Sequence, residues 1–427
     1  MSKLEFKELV PELRFSQTEW QKKPFNKIYT LKTTNSLSRD KLNYDDGLVK
    51  NIHYGDIHTK FSTLFDITKE YVPFINTEIS LDKVKEESYC QEGDMIFADA
   101  SEDIDDVGKS IELVNLNGER LLSGLHTILA RPKKNDLVKG FGGYLFKSEV
   151  MRKQIQKESQ GAKVLGISAS RISNIEVIYP IDHDEQQKIA DCLSSMDNLI
   201  TVNNKKLDSL NLHKKGLMKK LFPAEGKSAP ELRFAEFKEN WEINKLGSLV
   251  YYENGKAHEQ DIVDSGIYTV VNSKFISSNG KVKKYTNSGN LIASKDDILM
   301  VLSDVPNGRA IAKCFYVKKD NTYTVNQRVC KLSSKDVNSQ FLFYLLNRNA
   351  YFLSFDDGVK QTNLKKDDVL NCPLFIPNSF KEQEKIASCL SSLDEFIYIQ
   401  SQKIETLKEY KKGLMQKLFP EIKESIA

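Results

Sequence analysis

The chain has 427 residues, 62 basic and 59 acidic side chains, a net charge of +3 and 40% hydrophobic residues. At roughly 100–200 residues per domain, this length predicts two to four domains. The composition excludes collagen-like, mucin-like and wholly disordered proteins, and the small charge excludes a histone-like binder. No apolar stretch approaches the ~20 residues of a membrane-spanning helix.

Short apolar and alternating runs predict a mixed, β-rich interior in both halves of the chain. Residues 274–286 predict a β-hairpin, because Asn279-Gly280 is a strong turn signal between alternating runs. Residues 341–355 have the apolar spacing of a helix. The runs that predict strands or strand–turn elements are 51–61, 93–100, 267–271 and 298–302.

Each half ends in a long helix with a heptad pattern. At 1.5 Å per residue, each apolar seam is ~48 Å long. Polar residues interrupt the seams at matching places, Asn203 and Lys214 in the first and Gln400 and Lys411 in the second. So narrow a seam favours a helix partner, the alternative being that each helix packs on its own domain. The seam residues are Ile189, Leu193, Met196, Ile200, Leu207 and Leu210, and Ile386, Leu390, Leu393, Ile397, Ile404 and Leu407.

The chain is an internal repeat. KIADCLSSMDNLI (188–200) and KIASCLSSLDEFI (385–397) are identical at nine of thirteen positions, at an offset of 197. PELRF occurs at 11–15 and again at 230–234, followed each time by a tryptophan, whereas the interiors between these markers differ. Constant ends around divergent interiors predict a duplicated, pseudo-twofold unit whose two long helices pair antiparallel.

The sequence lacks the motifs of catalysis and cofactor binding. No Gly-Lys pair belongs to a phosphate-binding loop, and HExxH, GxSxG and the Pro-Pro of adenine methyltransferases do not occur. His53 and His58 lack the neighbours of a metal site, and Glu225 with Lys227 is a chance nuclease-like fragment. We therefore expect no catalytic residue and no metal. The six cysteines form no CxxC pair, which favours reduced thiols in a cytoplasmic protein.

The second interior contains side chains suited to nucleic acid. Residues 266–295 lack Asp and Glu but are rich in lysine, which is typical of phosphate contacts. Asn326-Gln327-Arg328 adds side chains that can read base edges, the alternative being a solvated hairpin and strand end. The first interior offers candidates in comparable loops, such as VGKS (107–110) against NGRA (307–310). The DNA-binding candidates are Lys60, Lys109, His126, Lys274, Lys281, Lys283, Lys284, Arg309, Asn326, Gln327 and Arg328.

The start of each long helix resembles a known family. YPIDHDEQQKIADCLSSMD (179–197) and IPNSFKEQEKIASCLSSLD (376–394) look like the Pro…EQ-KIA-L-LD signature of type I restriction–modification specificity subunits. GDMIFAD (93–99), DDILMVLSD (296–304) and the two-unit layout also resemble that family.

The resemblance implies an α+β protein of two pseudo-symmetric units. Each unit would hold a mixed α/β target recognition domain followed by a long conserved helix, and the two helices would pair as an antiparallel coiled coil. The expected boundaries are 1–180 for the first recognition domain, 181–223 for its helix, 224–229 for a linker, 230–377 for the second recognition domain, 378–420 for its helix and 421–427 for a tail.

The same resemblance implies that this chain recognises DNA and that its partner subunits carry out catalysis. Each domain would read half of a bipartite, interrupted site in double-stranded DNA, and the helices would set the gap and dock two modification (methyltransferase) subunits. Those subunits would bind S-adenosylmethionine and methylate adenine, while restriction subunits would use ATP and Mg²⁺. This chain would hold no cofactor. The alternatives are a self-contained methyltransferase or nuclease, disfavoured by the missing motifs, and a coiled-coil scaffold without DNA, which has no use for divergent interiors.

Overall fold

A computed structural model gives two compact units. One comprises Met1–Asn204 and Gln402–Ala427, and the other comprises Lys205–Ser401. Part of the expected linker (225–226, with Glu225) and most of the expected tail (422–427) lie outside the described residues, as does the start of the first expected domain. No helix in the described part is both long and apolar enough to cross a membrane. The described residues are 10–161, 163–224, 227–305 and 308–421.

The first domain, residues 20–180, is closed by its first and last strands, in which Trp20 pairs with Pro180 and Pro24 with Glu176. Its strands are β1 (Trp20–Pro24), β2 (Tyr29–Lys32), β3 (Leu42–Asn43), β4 (Lys50–Ile52), β5 (Leu64–Asp66), β6 (Phe74–Ile75), β7 (Met95–Ala98), β8 (Ala100–Ser101), β9 (Ser110–Asn115), β10 (Leu121–Ser123), β11 (Thr127–Pro132), β12 (Leu165–Gly166) and β13 (Glu176–Pro180). Its short helices are α1 (Phe25–Ile28), α2 (Tyr54–Thr59), α3 (Phe141–Leu145), α4 (Glu149–Glu158) and α5 (Ala169–Ile172).

Strand β7 lies at the centre of this domain. The larger sheet has the order β2-β11-β7-β9-β5, and a second sheet has the order β10-β4-β6-β3. Met95 and Phe97 pack into the core formed with α3 and α4. Ile96 and Ala98 pack into the core beneath α2. Because alternate side chains of a strand point to opposite faces, a strand buried on both faces is apolar at every position.

The second domain, residues 241–377, is closed in the same way by the pairing of Trp241 with Pro377. Its strands are β14 (Trp241–Lys245), β15 (Val250–Asn254), β16 (Ile262–Val263), β17 (Tyr268–Val271), β18 (Tyr285–Thr286), β19 (Ile292–Ala293), β20 (Ile298–Val301), β21 (Ser303–Asp304), β22 (Cys314–Tyr316), β23 (Tyr323–Val325), β24 (Val329–Ser334), β25 (Thr362–Asn363) and β26 (Pro373–Pro377). Its short helices are α7 (Leu246–Leu249), α8 (Ser273–Ser277), α9 (Ser339–Leu346), α10 (Ala350–Leu353) and α11 (Lys366–Leu370).

Strand β20 of the second domain is buried on both faces, as β7 is in the first domain. Its sheets have the orders β15-β24-β20-β22 and β16-β18-β17-β23-β19. Ile298 and Met300 of β20 pack into one core, and Leu299 and Val301 pack into the other. The strands predicted over 267–271 and 298–302 are confirmed as β17 and β20, but Ile267 lies outside β17 and is 71% exposed.

The hairpin predicted over 274–286 is wrong, because the segment begins as helix α8. The Asn272 side chain accepts a hydrogen bond from the Phe275 backbone N–H at 2.8 Å and so caps the helix. Phe275 is buried, at 3% exposure. Asn279 and Gly280 do form the turn, with φ of +53° and +78°, but that turn ends a helix. Gly280 N–H donates to the Phe275 carbonyl at 2.8 Å.

Two other predicted elements are refined by the structure. The strand–turn expected at 51–61 consists of strand β4 followed by helix α2, whose first turn is capped by His53. The helix expected at 341–355 is present as two short helices, α9 and α10. Arg348, at φ +60°, lies in the break between them.

The long helices are α6 (His183–Leu221) and α12 (Phe380–Leu418), each of 39 residues. Each helix begins in one unit and ends in the other. In the first unit, Ile189 and Leu193 near the start of α6 share a core with Leu418 at the end of α12. In the second unit, Leu221 at the end of α6 shares a core with Ile386 near the start of α12. The helix halves within each unit therefore run antiparallel, and all twelve predicted seam residues are buried or half-buried.

In each unit, the arginine of the PELRF segment binds the glutamate of the EQ signature at the start of the long helix. Arg14 of the first PELRF segment contacts the Glu185 carboxylate at 3.3 Å. Arg233 of the second contacts Glu382 at 2.7 Å. Both glutamates are fully buried, which explains why each carries an arginine partner. The signature glutamate thus attaches the PELRF segment before each domain to the helix of its own unit.

The adjacent glutamine completes this attachment. Gln186 Oε1 accepts a hydrogen bond from Val138 N–H at 2.7 Å. Gln383 Oε1 accepts one from Asn338 N–H at 2.8 Å. The EQ dipeptide of each helix therefore holds the domain at the same place in both units.

Candidate nucleic-acid interface

A turn, residues 124–126, follows β10 in the first domain. β10 runs parallel to β4, and Gly124 N–H continues the ladder by donating to the Ile52 carbonyl at 2.8 Å. The carbonyl of His126 accepts from Asp99 N–H at 3.0 Å. His126 is exposed, at φ +55°. The turn is thus fixed at both ends and presents the His126 side chain.

The second domain has a turn with matching backbone hydrogen bonds at residues 326–328, although Arg328, unlike His126, does not have a positive φ. β23 runs parallel to β17, and Asn326 N–H donates to the Val271 carbonyl at 3.0 Å. The carbonyl of Arg328 accepts from Leu302 N–H at 2.9 Å. Because each bond has a counterpart in the first domain, Arg328 occupies the position of His126.

A lysine holds the short helix beside each turn. Lys109 Nζ donates to the His58 carbonyl at the end of α2, at 2.8 Å. Lys313 Nζ donates to the Ser277 carbonyl at the end of α8, at 3.1 Å. A cation near helix C-terminal carbonyls is stabilising. The expected match of VGKS with NGRA is therefore wrong in register, because the structure matches Lys109 with Lys313 and not with Arg309.

The His126 ring is held from two sides. Its Nδ1 lies 3.2 Å from Asp99 Oδ1. The Tyr54 ring of α2 meets it edge-on, with centroids 5.3 Å apart. Burial raises the pKa of the Asp99 carboxyl, and His126 opposes that rise. The imidazole is thus oriented by neighbours from α2 and from the loop after β7.

Lys60, at the end of α2, is engaged by its own domain. Its Nζ lies 3.0 Å from Asp56 Oδ1 and donates to Tyr44 Oη at 3.0 Å. These hydrogen bonds, first to Tyr44 and then to Asp56, raise the pKa of Lys60. Tyr44 stacks on Tyr71, with centroids 4.4 Å apart. Tyr71 is 69% exposed, so an aromatic face lies beside the candidate lysine.

The basic candidates of the second domain are exposed to solvent. Arg309 is exposed in the loop after β21. The four exposed lysines of α8 and the segment after it form no ion pair with any described residue. These are Lys274, Lys281, Lys283 and Lys284.

The three adjacent candidates of turn 326–328 have different surroundings. Asn326 is buried, at 9% exposure. Gln327 is exposed, and its Nε2 donates to Glu259 Oε1 at 3.0 Å. Arg328 is exposed and has no side-chain partner in the described part of the chain. Of the three, Arg328 is therefore free to contact a ligand.

The sequence prediction missed Tyr54, Asp99, Lys313 and Glu259. Each acts through a contact with a residue distant along the chain, and no local pattern signals such a contact. Among the described residues, no three His, Cys, Asp or Glu side chains converge as a metal site would require.

A polar triad joins the first domain to the helices of its unit. Lys411 Nζ of α12 lies 2.5 Å from Asp197 Oδ1 of α6. Tyr144 Oη of α3 donates to Asp197 Oδ2 at 2.8 Å. Lys411 also lies 5.4 Å from the centroid of the Tyr144 ring. Burial and the neighbouring carboxylate raise the pKa of Tyr144, so the phenol remains a donor.

The second unit has the same triad. Lys214 Nζ of α6 lies 2.5 Å from Asp394 Oδ1 of α12. Tyr344 Oη of α9 donates to Asp394 Oδ2 at 2.7 Å. Asp197 and Lys214 are separated by as many residues as Asp394 and Lys411, so the helices have the same register in both units. The predicted polar layers at the two lysines are thus ion pairs between helices.

Comparison with known proteins covers most of the chain. The family described as type I restriction modification DNA specificity domain matches residues 17–212 and 238–409. The type I restriction enzyme MjaVIII specificity subunit of Methanocaldococcus jannaschii is 28% identical over 314 residues, which cover 68% of this chain and 72% of that protein.

Solved structures share the fold. The S subunit of the type I restriction–modification system of M. genitalium aligns over 97% of this chain and 100% of its own, with a TM-score of 0.62 and 15% identity. A chain from a structural study of complex assembly and conformational transition in a type I system aligns over 95% and 99%, with a TM-score of 0.56 and 12% identity. At these identities the likeness concerns the fold alone.

Proposed function

The chain belongs to the family of type I restriction–modification DNA specificity subunits, and we propose that it selects the DNA sequence on which such a complex acts. Each domain reads one half of a bipartite site. The two helices that run through both units set the length of the unread gap between the half-sites. The protein acts in the cytoplasm, where it meets the DNA.

The duplicated turn is the observation that carries this proposal. Turns 124–126 and 326–328 are held by equivalent backbone hydrogen bonds. They nevertheless present different side chains, His126 in one and Gln327 and Arg328 in the other. Contacts to phosphates position a protein on DNA, and contacts to base edges specify the sequence. Two turns with the same backbone hydrogen bonds but different exposed side chains suit two domains that read different half-sites.

The contacts of the second domain follow from exposure and charge. The four unpaired lysines of 274–284 contact phosphates, and Arg328 contacts a base. Replacing a phosphate-contacting lysine weakens binding to all sequences and flattens the salt dependence by about one unit. Arg328→Ala relaxes preference at one base pair, by ~1–3 kcal/mol. Gln327 and Arg309 lie beside this surface, and the buried Asn326 supports the turn.

The contacts of the first domain centre on helix α2. His126 contacts a base, and Lys60 contacts a phosphate from the end of the helix. The support for Lys109 is its hydrogen bond to the His58 carbonyl. That bond makes Lys109 a residue that orders α2 beside the DNA.

The docking of two modification subunits is supported by a repeated apolar pair on the long helices. Leu199 and Val202 of α6 are 42% and 63% exposed. Phe396 and Ile399, at the same places of α12, are 60% and 54% exposed. Each pair lies on successive turns of one helix face. Two copies of one patch suit two copies of one partner.

Catalysis belongs to the partners. The modification subunits bind S-adenosylmethionine and methylate adenine, and the restriction subunits use ATP and Mg²⁺. The missing catalytic motifs of this sequence support that division. The purified chain alone should show no methyltransferase, nuclease or ATPase activity, and turnover by a preparation free of partner subunits would contradict this part of the proposal.

Methylome sequencing of cells with and without the gene tests the proposal directly. We expect a bipartite, adenine-methylated motif that disappears on deletion and returns with the restored gene. Leu199→Glu and Phe396→Glu should each weaken one of the two docking events, seen as a complex that has lost one modification subunit. A methylome that is unchanged by deletion would contradict the proposed function.

A further inference from the structure

The two matched turns predict a relation between the half-sites. Resting on the proposed function, we infer that His126 and Arg328 are equivalent specificity-determining residues, each reading one base pair at the corresponding place of its own half-site. Their equivalence follows from the backbone, because in each domain the third residue of the turn accepts a hydrogen bond from the loop after the central strand.

The surroundings of His126 determine what it can read. A carboxylate only accepts hydrogen bonds. Nδ1 of His126, at 3.2 Å from Asp99 Oδ1, is therefore the nitrogen that carries the hydrogen. In a neutral imidazole the other nitrogen, Nε2, is then an acceptor, and no described residue occupies it. An acceptor in the major groove pairs with an exocyclic amino group, on adenine or cytosine.

Arg328 has the opposite chemistry. Leu302 stands where the first domain has Asp99, so no carboxylate engages the guanidinium from that side. Arginine only donates, and its planar fork matches the two acceptors of guanine, O6 and N7. The two half-sites therefore differ at the corresponding base pair: an amino-bearing base edge faces His126, and guanine faces Arg328.

Reciprocal exchange tests this inference in cells, where the complex is intact. The methylated motif is sequenced in cells whose gene encodes wild type, His126→Arg or Arg328→His. His126→Arg should change one base pair of one half-site to guanine. Arg328→His should replace guanine at one base pair of the other half-site. Methylation of the original motif should fall roughly tenfold or more in each variant, as expected for a lost base contact.

The unaltered half-site is the internal control in each variant. A second pair of variants covers the case in which an exchange abolishes methylation. His126→Gln and Arg328→Gln should both move their base pair towards adenine, because glutamine pairs with adenine N6 and N7. The changed positions should correspond when each half-site is counted outward from the gap.

The outcomes separate the inference from the proposed function. If the wild-type motif depends on the gene but all variants keep it, or if the changed positions do not correspond, the inference is overturned and the proposed function stands. If the wild-type gene produces no bipartite motif, both are overturned.

Discussion

The exposed polar groups of the two domains differ in their internal partners, although the backbone frame beneath them is the same. In the first domain His126 lies against Asp99, and Lys60 is tied to Asp56. In the second domain Arg328 and the lysines of 274–284 have no ion pair among the described residues. Because the frame depends on backbone bonds and buried side chains, exposed residues can vary at little cost to the fold.

The helical parts of the two units show the reverse relation. Their partners are the same residue types at the same spacing: Tyr144, Asp197 and Lys411 in one unit and their counterparts in the other. The domains therefore differ in their exposed side chains, as two readers of different half-sites must. The helices keep the same polar contacts, as a scaffold shared by both units must.

Exchange of a whole domain should have the largest effect. Replacing residues 20–180 with the equivalent domain of another family member should change one half-site completely. The other half-site and the gap should stay the same, because the module ends at the paired strands β1 and β13 and leaves the helices intact. Methylome sequencing measures all three features.

The matched control is replacement of residues 241–377, which should change only the other half-site. A change of both half-sites in either chimaera would show that the two domains do not read independently.

Lengthening both helices should alter the gap alone. One heptad inserted after Asn203 and one after Gln400 keeps the seam in phase and adds ~10 Å of helix. At ~3.4 Å per base pair, the gap of the methylated motif should grow by about three base pairs, with both half-sites unchanged.

A heptad inserted after Asn203 alone is the control for this experiment. It shifts Lys214 relative to Asp394 while leaving Lys411 with Asp197, so one ion pair must break. That variant should unfold at a lower temperature than wild type. A doubly extended protein that folds and methylates with the original gap would show that these helices do not set the spacing.

The first domain should lose stability as the pH rises towards 7, because of the buried Glu112. Glu112 of β9 is buried and accepts backbone hydrogen bonds from Gly140 at 2.6 Å and Gly143 at 2.7 Å. Burial raises the pKa of Glu112 to about 7. The folded state then binds the proton more tightly than the unfolded state, so stability should fall as the pH rises from about 4.5 to about 7. In the second domain Tyr316 occupies this position.

Denaturation of Glu112→Gln across this pH range checks the prediction. Near pH 4.5 the variant should be less stable than wild type by about 1–3 kcal/mol, because the amide nitrogen cannot accept one of the two glycine hydrogen bonds. Between pH 4.5 and pH 8 the variant should not show the loss of up to ~3 kcal/mol expected of wild type. Glu102→Gln, at an exposed site of the same domain, should leave the pH dependence unchanged. An equal pH dependence in wild type and Glu112→Gln would assign the effect to another group.

The parts of this architecture that sequence could predict are those with local or repeated patterns. The heptad seams and the repeat offset of 197 residues can be read from the sequences of the helices, and the antiparallel pairing follows from the duplication. The strand at 298–302 was predictable because β20 is buried on both faces and therefore apolar throughout.

The parts that sequence could not predict depend on contacts between distant residues. Helix α8 was mistaken for a hairpin because the Asn279-Gly280 signal outweighed the cap at Asn272. The equivalence of His126 with Arg328 could not be predicted, because the sequences around the two turns differ and the loops before them differ in length. Only the hydrogen bonds of the folded backbone align them.

The two polar triads should contribute equally to stability. Lys411→Met and Lys214→Met each leave an aspartate without its cation in a partly buried seam. The lysine side chains are 20% and 22% exposed, so solvent screens part of each loss, and we expect each variant to lower the free energy of unfolding by about 1–2 kcal/mol. Chemical denaturation measures both values.

Each lysine has an exposed neighbour that serves as a matched control, Lys412 beside Lys411 and Lys215 beside Lys214. Replacing either neighbour with methionine should change stability by less than about 0.5 kcal/mol. Tyr144→Phe and Tyr344→Phe should each cost about 1 kcal/mol, since one hydrogen bond to a carboxylate is lost. Unequal costs in the two units would mean that the helices, like the domains, have diverged. Equal costs would show that duplication preserved the scaffold while the readers changed.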